Sequence, residues 1–250
     1  MARSRRVEAW MARLYPVWGG ESLDAAFCRH AREGMTVLDA GCGGARGCPR
    51  QSPWEKMYIV GLDPDPAVRG NPFCNAVLMG DVSVLPFADA SFDLIHCRWV
   101  LEHLSEPRTT FREFARVLKP GGRLLAVTPN LFHYATLGAR LTPFAFHRWW
   151  QRGAYDPFPT FYRANSPRAI RRLCRDAGLL LESVDLIEGP PQYLMRNLPA
   201  FLLGVLYERL VNSTPALAGL RQRMVLQIVR DASTDAASTQ NHRDAPQALP

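Results

Sequence analysis

Three carboxylates stand where short apolar runs end, and this spacing is the chain's strongest chemical signal. Val37-Leu38-Asp39-Ala40-Gly41-Cys42-Gly43-Gly44 joins an apolar run to an acid and then to glycines. Glycine admits φ > 0 and puts no Cβ between backbone and ligand, so the pattern is a strand entering a tight turn that a ligand approaches closely. Ile59-Val60-Gly61-Leu62-Asp63 repeats the theme, and Asp81 follows a third run, Ala76–Gly80. An acid at a strand tip suits a ligand with a cationic or hydroxylated end. Neighbouring parallel strands with carboxylates at their carboxyl ends build a nucleoside site at the sheet edge where α/β folds bind ligands. Each acid also has a local use. Asp39 can cap the turn, Asp63 can start an Asx-turn before Pro64, and Asp81 can end its strand. Three acids at three successive tips argue for the site.

The elements that must position them alternate. Strands are read at Thr36–Asp39, Tyr58–Asp63, Ala76–Gly80, Phe92–Cys97, Gly122–Thr128 and Leu179–Ile187, with a seventh at Arg223–Val229. Phe111, Phe114, Ala115 and Leu118 recur at helical spacing, and Lys119-Pro120-Gly121-Gly122 stops that helix. Ser166-Pro167 opens another helix as an N-cap with proline at the first helical position, and Gly178 ends it. Pro64, Pro66 and Pro72 leave little room for a full helix between the second and third strands, while Ser52-Pro53-Trp54-Glu55 reads as a capping box over a short one. The alternation predicts an α/β fold with a mostly parallel sheet covered by helices. Three segments follow: an amphipathic N-terminal helical segment at 1–34, the main domain at 35–230 and a polar, disordered tail at 231–250. Inserts at 130–165 and 188–222 leave strand carboxyl ends. The first is aromatic and the second leucine-rich, so together they are expected to cap an apolar acceptor pocket.

The chain of 250 residues, 47% hydrophobic and 21% charged, is ordinary for a globular domain. Its net charge of +7 fits anionic partners or simply an arginine-rich surface. The cysteines form no CxxC pair, which predicts free thiols, a reducing cytoplasmic setting and no metal site. The first residues show basic amphipathic character without a secretory core; such a helix packs on the domain or rests on an anionic membrane surface. No apolar run is long enough to span a bilayer.

Beyond the glycine loop, Ile59-Val60-Gly61-Leu62-Asp63-Pro64-Asp65-Pro66 and the stretches 80–95, 99–104 and 118–130 follow in order and spacing. Over Thr36 to Asn130 the chain resembles the class I S-adenosylmethionine-dependent methyltransferases, in their small-molecule and quinone-type branch. The resemblance implies a Rossmann-like seven-stranded sheet with its last strand antiparallel and helices on both faces. It implies S-adenosylmethionine as cofactor, with Gly41 and Gly43 at its methionyl part, Asp39 near its ammonium group and Asp63 on the ribose hydroxyls. Asp81 and Val82 then take the adenine amino group, Leu62 and Leu85 flank the ring, and Arg98 and Trp99 border the methyl group. The loop departs from the family where Ala45 replaces a glycine.

Methyl transfer needs the acceptor atom aligned behind the methyl carbon, and an oxygen acceptor needs a base; His103, His133 and His147 are the candidates. The reading is O- or C-methylation of a small, apolar or lipid- or saccharide-linked acceptor. Nucleic acid is disfavoured, because Arg98-Trp99-Val100-Leu101 stands where amino-group methyltransferases carry an Asn/Asp-Pro-Pro-aromatic tetrad. Two alternatives stay open: an NAD(P)-dependent oxidoreductase, since Gly41, Gly43, Gly47 and Asp63 loosely imitate a dinucleotide fingerprint, and a non-catalytic S-adenosylmethionine-binding module.

Overall fold

The computed structural model describes residues 22–44, 54–141, 158–191, 194 and 198–232. Seven strands form one sheet: β1 (Thr36–Ala40), β2 (Tyr58–Asp63), β3 (Ala76–Met79), β4 (Phe92–Arg98), β5 (Leu118–Pro129), β6 (Leu179–Ile187) and β7 (Arg223–Arg230). Their order is β3-β2-β1-β4-β5-β7-β6. β1 to β5 pair in parallel, and β7 runs antiparallel to both β5 and β6. The order reverses between β1 and β4, the switch point that opens a crevice at the strands' carboxyl ends.

The central strands are near-continuous apolar runs because both sheet faces are covered. One face packs under α2 (Pro107–Val117) and α4 (Pro167–Asp176), with Phe111, Phe114, Ile170 and Leu173 fully enclosed or nearly so. Ser166 caps α4 by accepting the Ala169 N–H at 3.3 Å, and Gly178 follows the helix at φ +70°. The opposite face packs under α1 (Leu23–His30), whose Leu23, Ala26 and Phe27 join Trp54, Ile59, Leu94 and Val127. α1, within the segment 1–34, thus supplies core to the sheet. Residues 1–21, 45–53 and 233–250, with the basic amphipathic stretch and the polar tail, lie outside the described residues.

Between β2 and β3 the connection is a 3₁₀ turn, Pro66–Gly70, as the prolines require, and Trp54–Lys56 is a second one. β5 begins earlier than expected. α2 ends at Val117 and hands directly to Leu118, which pairs with Phe92; the register then jumps to Leu94 with Arg123. The Lys119-Pro120-Gly121-Gly122 run that stops the helix becomes the bulge, with Gly121 at φ +75°. Within the inserts lie α3 (Tyr134–Leu141) and α5 (Leu198–Ser213).

Candidate functional site

Asp39, 4% exposed, is the penultimate residue of β1, and the chain turns at Gly41 with φ +78°. The Gly41 N–H donates to the Leu62 carbonyl at 2.7 Å. A Cβ there would stand 2.1 Å from Val100 Cγ2, so only glycine lets the turn pass β4's outgoing loop. Gly43, at φ +55°, donates its N–H to Asp63 Oδ2 at 2.8 Å, and Asp63 Oδ1 accepts from the Asp65 N–H at 2.8 Å. Asp63 thus makes the Asx-turn its position suggested and also pins the glycine loop to the tip of β2. A carboxylate has about four acceptor sites; the two left over face no backbone donor and suit hydroxyls. Asn71 braces the loop from beneath, its amide donating to the Cys42 and Gly43 carbonyls at 3.3 and 3.1 Å.

Asp39 is held from β4. It stands opposite His96 in the β1–β4 register, and His96 Nδ1 donates to Asp39 Oδ1 at 2.8 Å. The imidazole is fully buried, edge-on to Phe27 and Trp54 at 5.7 Å, and its Nε2 has no hydrogen bond. Sequence reading missed His96, because only the strand register brings it to Asp39. Asp39, Cys42 and Cys74 bring a carboxylate oxygen and two sulfurs within 4.8 Å of one another around Gly61, a grouping that linear cysteine spacing hides.

The third acid, Asp81, is exposed beyond β3 and accepts the Ser83 N–H at 2.7 Å, with Val82 buried next to it. This loop is clamped by α2. Glu113 accepts the Leu85 N–H at 2.8 Å, and Arg116 donates to Glu113, Asp89 and the carbonyls of Leu85 and Phe87. The Arg116 guanidinium holds the Glu113 carboxyl below its ordinary range. Leu62 and Leu85, expected to flank an adenine ring, lie within the core around the crevice. Both side chains are sealed in the core, at 0% and 4% exposure, and Leu62 serves the loop through its carbonyl.

Arg98 stands at the tip of β4, but its guanidinium pairs with Asp24 of α1 rather than with the glycine loop. Trp99, 40% exposed at φ +57°, follows it. His103 closes the next turn and donates from Nδ1 to the Pro159 carbonyl at 3.0 Å, tying the rim to the returning insert. The same insert is anchored by a buried chain: Thr128 Oγ1 donates to Glu102 at 3.1 Å, and Asn165 donates to Thr128 Oγ1 at 2.7 Å. His133 is 1% exposed, and its Nδ1 accepts the Ala135 N–H at 3.3 Å. Burial lowers its pKa to about 4, while burial raises that of Glu188, 3.7 Å from Nε2, to about 7. An enclosed, neutral imidazole with Nδ1 engaged does not stand at the rim as a base. His147 lies outside the described residues.

Residues 38–126 match a family described as a methyltransferase domain. A ubiquinone biosynthesis O-methyltransferase of Alkalilimnicola ehrlichii is 30% identical over 179 residues, 64% of this chain and 66% of that protein. A malonyl-[acyl-carrier protein] O-methyltransferase of Erwinia pyrifoliae is 37% identical over 107 residues, 40% of each. The chain thus spans less than two thirds of the length of these curated relatives. A solved S-adenosylmethionine-dependent methyltransferase of Methanosarcina mazei superposes with TM-score 0.53 at 18% identity, over 82% of this chain and 97% of that one, a likeness of fold. The match sets aside the nicotinamide alternative. Fold, glycine loop and family match agree that residues 38–126 form a class I S-adenosylmethionine-dependent methyltransferase domain.

Proposed function

We propose that the protein transfers a methyl group from S-adenosylmethionine to a small, apolar or lipid- or saccharide-linked acceptor, by O- or C-methylation. The carrying observation is the acid-tipped rim: Asp39, Asp63 and Asp81 stand at or just beyond the carboxyl ends of β1, β2 and β3, and Asp63 pins a glycine loop that a Cβ would obstruct. The residues fit the cofactor. Asp63 keeps acceptor capacity for two ribose hydroxyls, Asp39 held by His96 offers a fixed carboxylate to an ammonium group, and Asp81 with the Val82 backbone suits an adenine amino group. Gly41 and Gly43 let the methionyl part lie against the backbone. When bound, the cofactor supplies an electrophilic methyl carbon.

The chain's task is then to align the acceptor and exclude water. Proton removal from an oxygen acceptor falls to His103. Its Nδ1–H is engaged by the Pro159 carbonyl, which fixes the tautomer and holds the ring at the rim. The apolar acceptor is supported by the inserts: Phe132, Leu137 and Leu141 around α3 and Leu198, Leu202, Leu203, Leu206 and Leu210 on α5 are all exposed. That surface, with the net charge of +7, also supports peripheral contact with a membrane. No helix among the described residues is long and apolar enough to cross one.

The test is calorimetry with S-adenosylhomocysteine, followed by incubation of a cell lysate with methyl-labelled donor and mass spectrometry of lipid, saccharide and RNA fractions. Label in a lipid or saccharide fraction is expected. Label confined to RNA overturns the acceptor class, and donor binding without transfer favours the non-catalytic module.

A further inference from the structure

Arg223 opens β7 at the sheet's carboxyl rim, between the ends of β5 and β6, where it pairs with Pro129 and Ile187. Arg98 pairs with Val127, two residues before Pro129. Residues two apart in a strand share a face, so Arg98 and Arg223 rise from one face, two strand spacings across and two residues along, about 12 Å apart between backbones. The surrounding charges are uneven. Asp24 takes one nitrogen of Arg98, but the Arg98 Nε is buried without a hydrogen bond. Among the described residues the Arg223 guanidinium has no hydrogen bond or ion pair, although it is partly buried. Glu188 is the other carboxylate whose field reaches Arg223, and burial favours its neutral form.

A half-buried guanidinium that makes no hydrogen bond within the described protein is well matched to a planar, bidentate oxyanion. Both aromatic and leucine-rich inserts leave the sheet beside it, so its position is on the acceptor's side. We infer that the acceptor carries an anionic oxygen group, a carboxylate or a phosphate ester, and that Arg223, with Arg98 next to it, receives that group. This rests on the methyltransferase reading. The acceptor then has an apolar part against the inserts and an acidic head against the rim.

The experiment uses the full chain saturated with S-adenosylhomocysteine and three probes of one shape: benzoate, phenyl phosphate and benzamide. Binding is read by ligand-observed NMR titration. Benzoate or phenyl phosphate should bind and benzamide should not, and whichever anion binds tighter names the head group. R223Q should weaken that anion at least tenfold, R223K by less, and R172Q on the exposed side of α4 should leave it unchanged. Equal binding of benzamide, no binding of either anion, or an R223Q protein that binds as the parent does would overturn the inference. Should R223Q fail to fold, R223K and the benzoate–benzamide contrast still decide it. S-adenosylhomocysteine binding is measured separately: its loss strikes the methyltransferase reading, whereas its retention without anion binding strikes the inference alone.

Discussion

Gly41→Ala isolates the geometry on which the glycine loop depends. Two costs add. An L-residue in the left-handed region costs roughly 1–2 kcal/mol, and Gly41 sits at φ +78°. The new Cβ would lie 2.1 Å from Val100 Cγ2, whereas carbon contacts settle near 3.5–4.0 Å. Opening that gap in a packed region costs about 1–3 kcal/mol. Their sum, roughly 2–5 kcal/mol, should appear as weaker binding of S-adenosylhomocysteine by calorimetry, about thirtyfold at the low end, and as a lower urea midpoint. The second mutation separates the terms. Val100→Ala removes Cγ2 and leaves its Cβ 3.4 Å from the new methyl, an ordinary contact. The double variant Gly41→Ala with Val100→Ala should therefore recover the steric part and retain roughly 1–2 kcal/mol of backbone strain. If Gly41→Ala behaves as the parent in both assays, or if Val100→Ala brings no recovery, the account of this turn is refuted.

Three further outcomes follow from the same geometry. Asp63→Asn should weaken S-adenosylhomocysteine binding by about 1–3 kcal/mol, since an amide nitrogen cannot accept the bonds the carboxylate accepts; unchanged affinity on calorimetry would remove Asp63 from the site. Asn165→Ala should lower the melting temperature through a loss of about 2 kcal/mol, because it strips the donors to Thr128 and the Pro129 carbonyl, and a change within error would mean the insert is anchored elsewhere. The pair His133 and Glu188 makes a pH prediction. Glu188 is pushed up to about 7 from 4.5, so in the folded state it keeps a proton that the unfolded chain releases, and its contribution to stability falls as pH rises from 4.5 to 7. His133 is lowered to about 4 from 6.5, so the unfolded chain takes up a proton that the folded one refuses, and its contribution rises with pH over 4 to 6.5. The two slopes oppose each other and nearly cancel between pH 4.5 and 6.5. Glu188→Gln should expose the His133 slope as stability that climbs with pH in urea titrations, and an unaltered profile would show that the pair does not titrate as placed.

Much of the architecture was readable from local chemistry. Asp39, Asp63 and the glycines around Cys42 are a strand-tip pattern spanning a few residues, and Ser166-Pro167 and Gly178 punctuate α4 as their caps and φ preferences require. The prolines after Asp63 reduced the expected helix to a 3₁₀ turn for the same local reason. Leu62 reads equally as wall or as core, because β2 is buried on both faces and its continuous apolar pattern does not separate the two.

The partners of those residues come from elsewhere in the chain. His96 reaches Asp39 only because β1 and β4 lie side by side in one register; a slip by one residue would send it to the other face. Asn71 under the glycine loop, Arg116 under the Asp81 loop and Arg223 across β5 from Arg98 are likewise joined by strand order and packing. The amino-acid sequence by itself determined the strand tips, the turn that only glycine can make and the acids that stand at those tips, because those depend on backbone torsions and neighbours a few bonds away. Tertiary structure alone decided which buried groups orient the acids and which cations share the rim, because those placements arise from strand order and from burying both faces of a shared sheet.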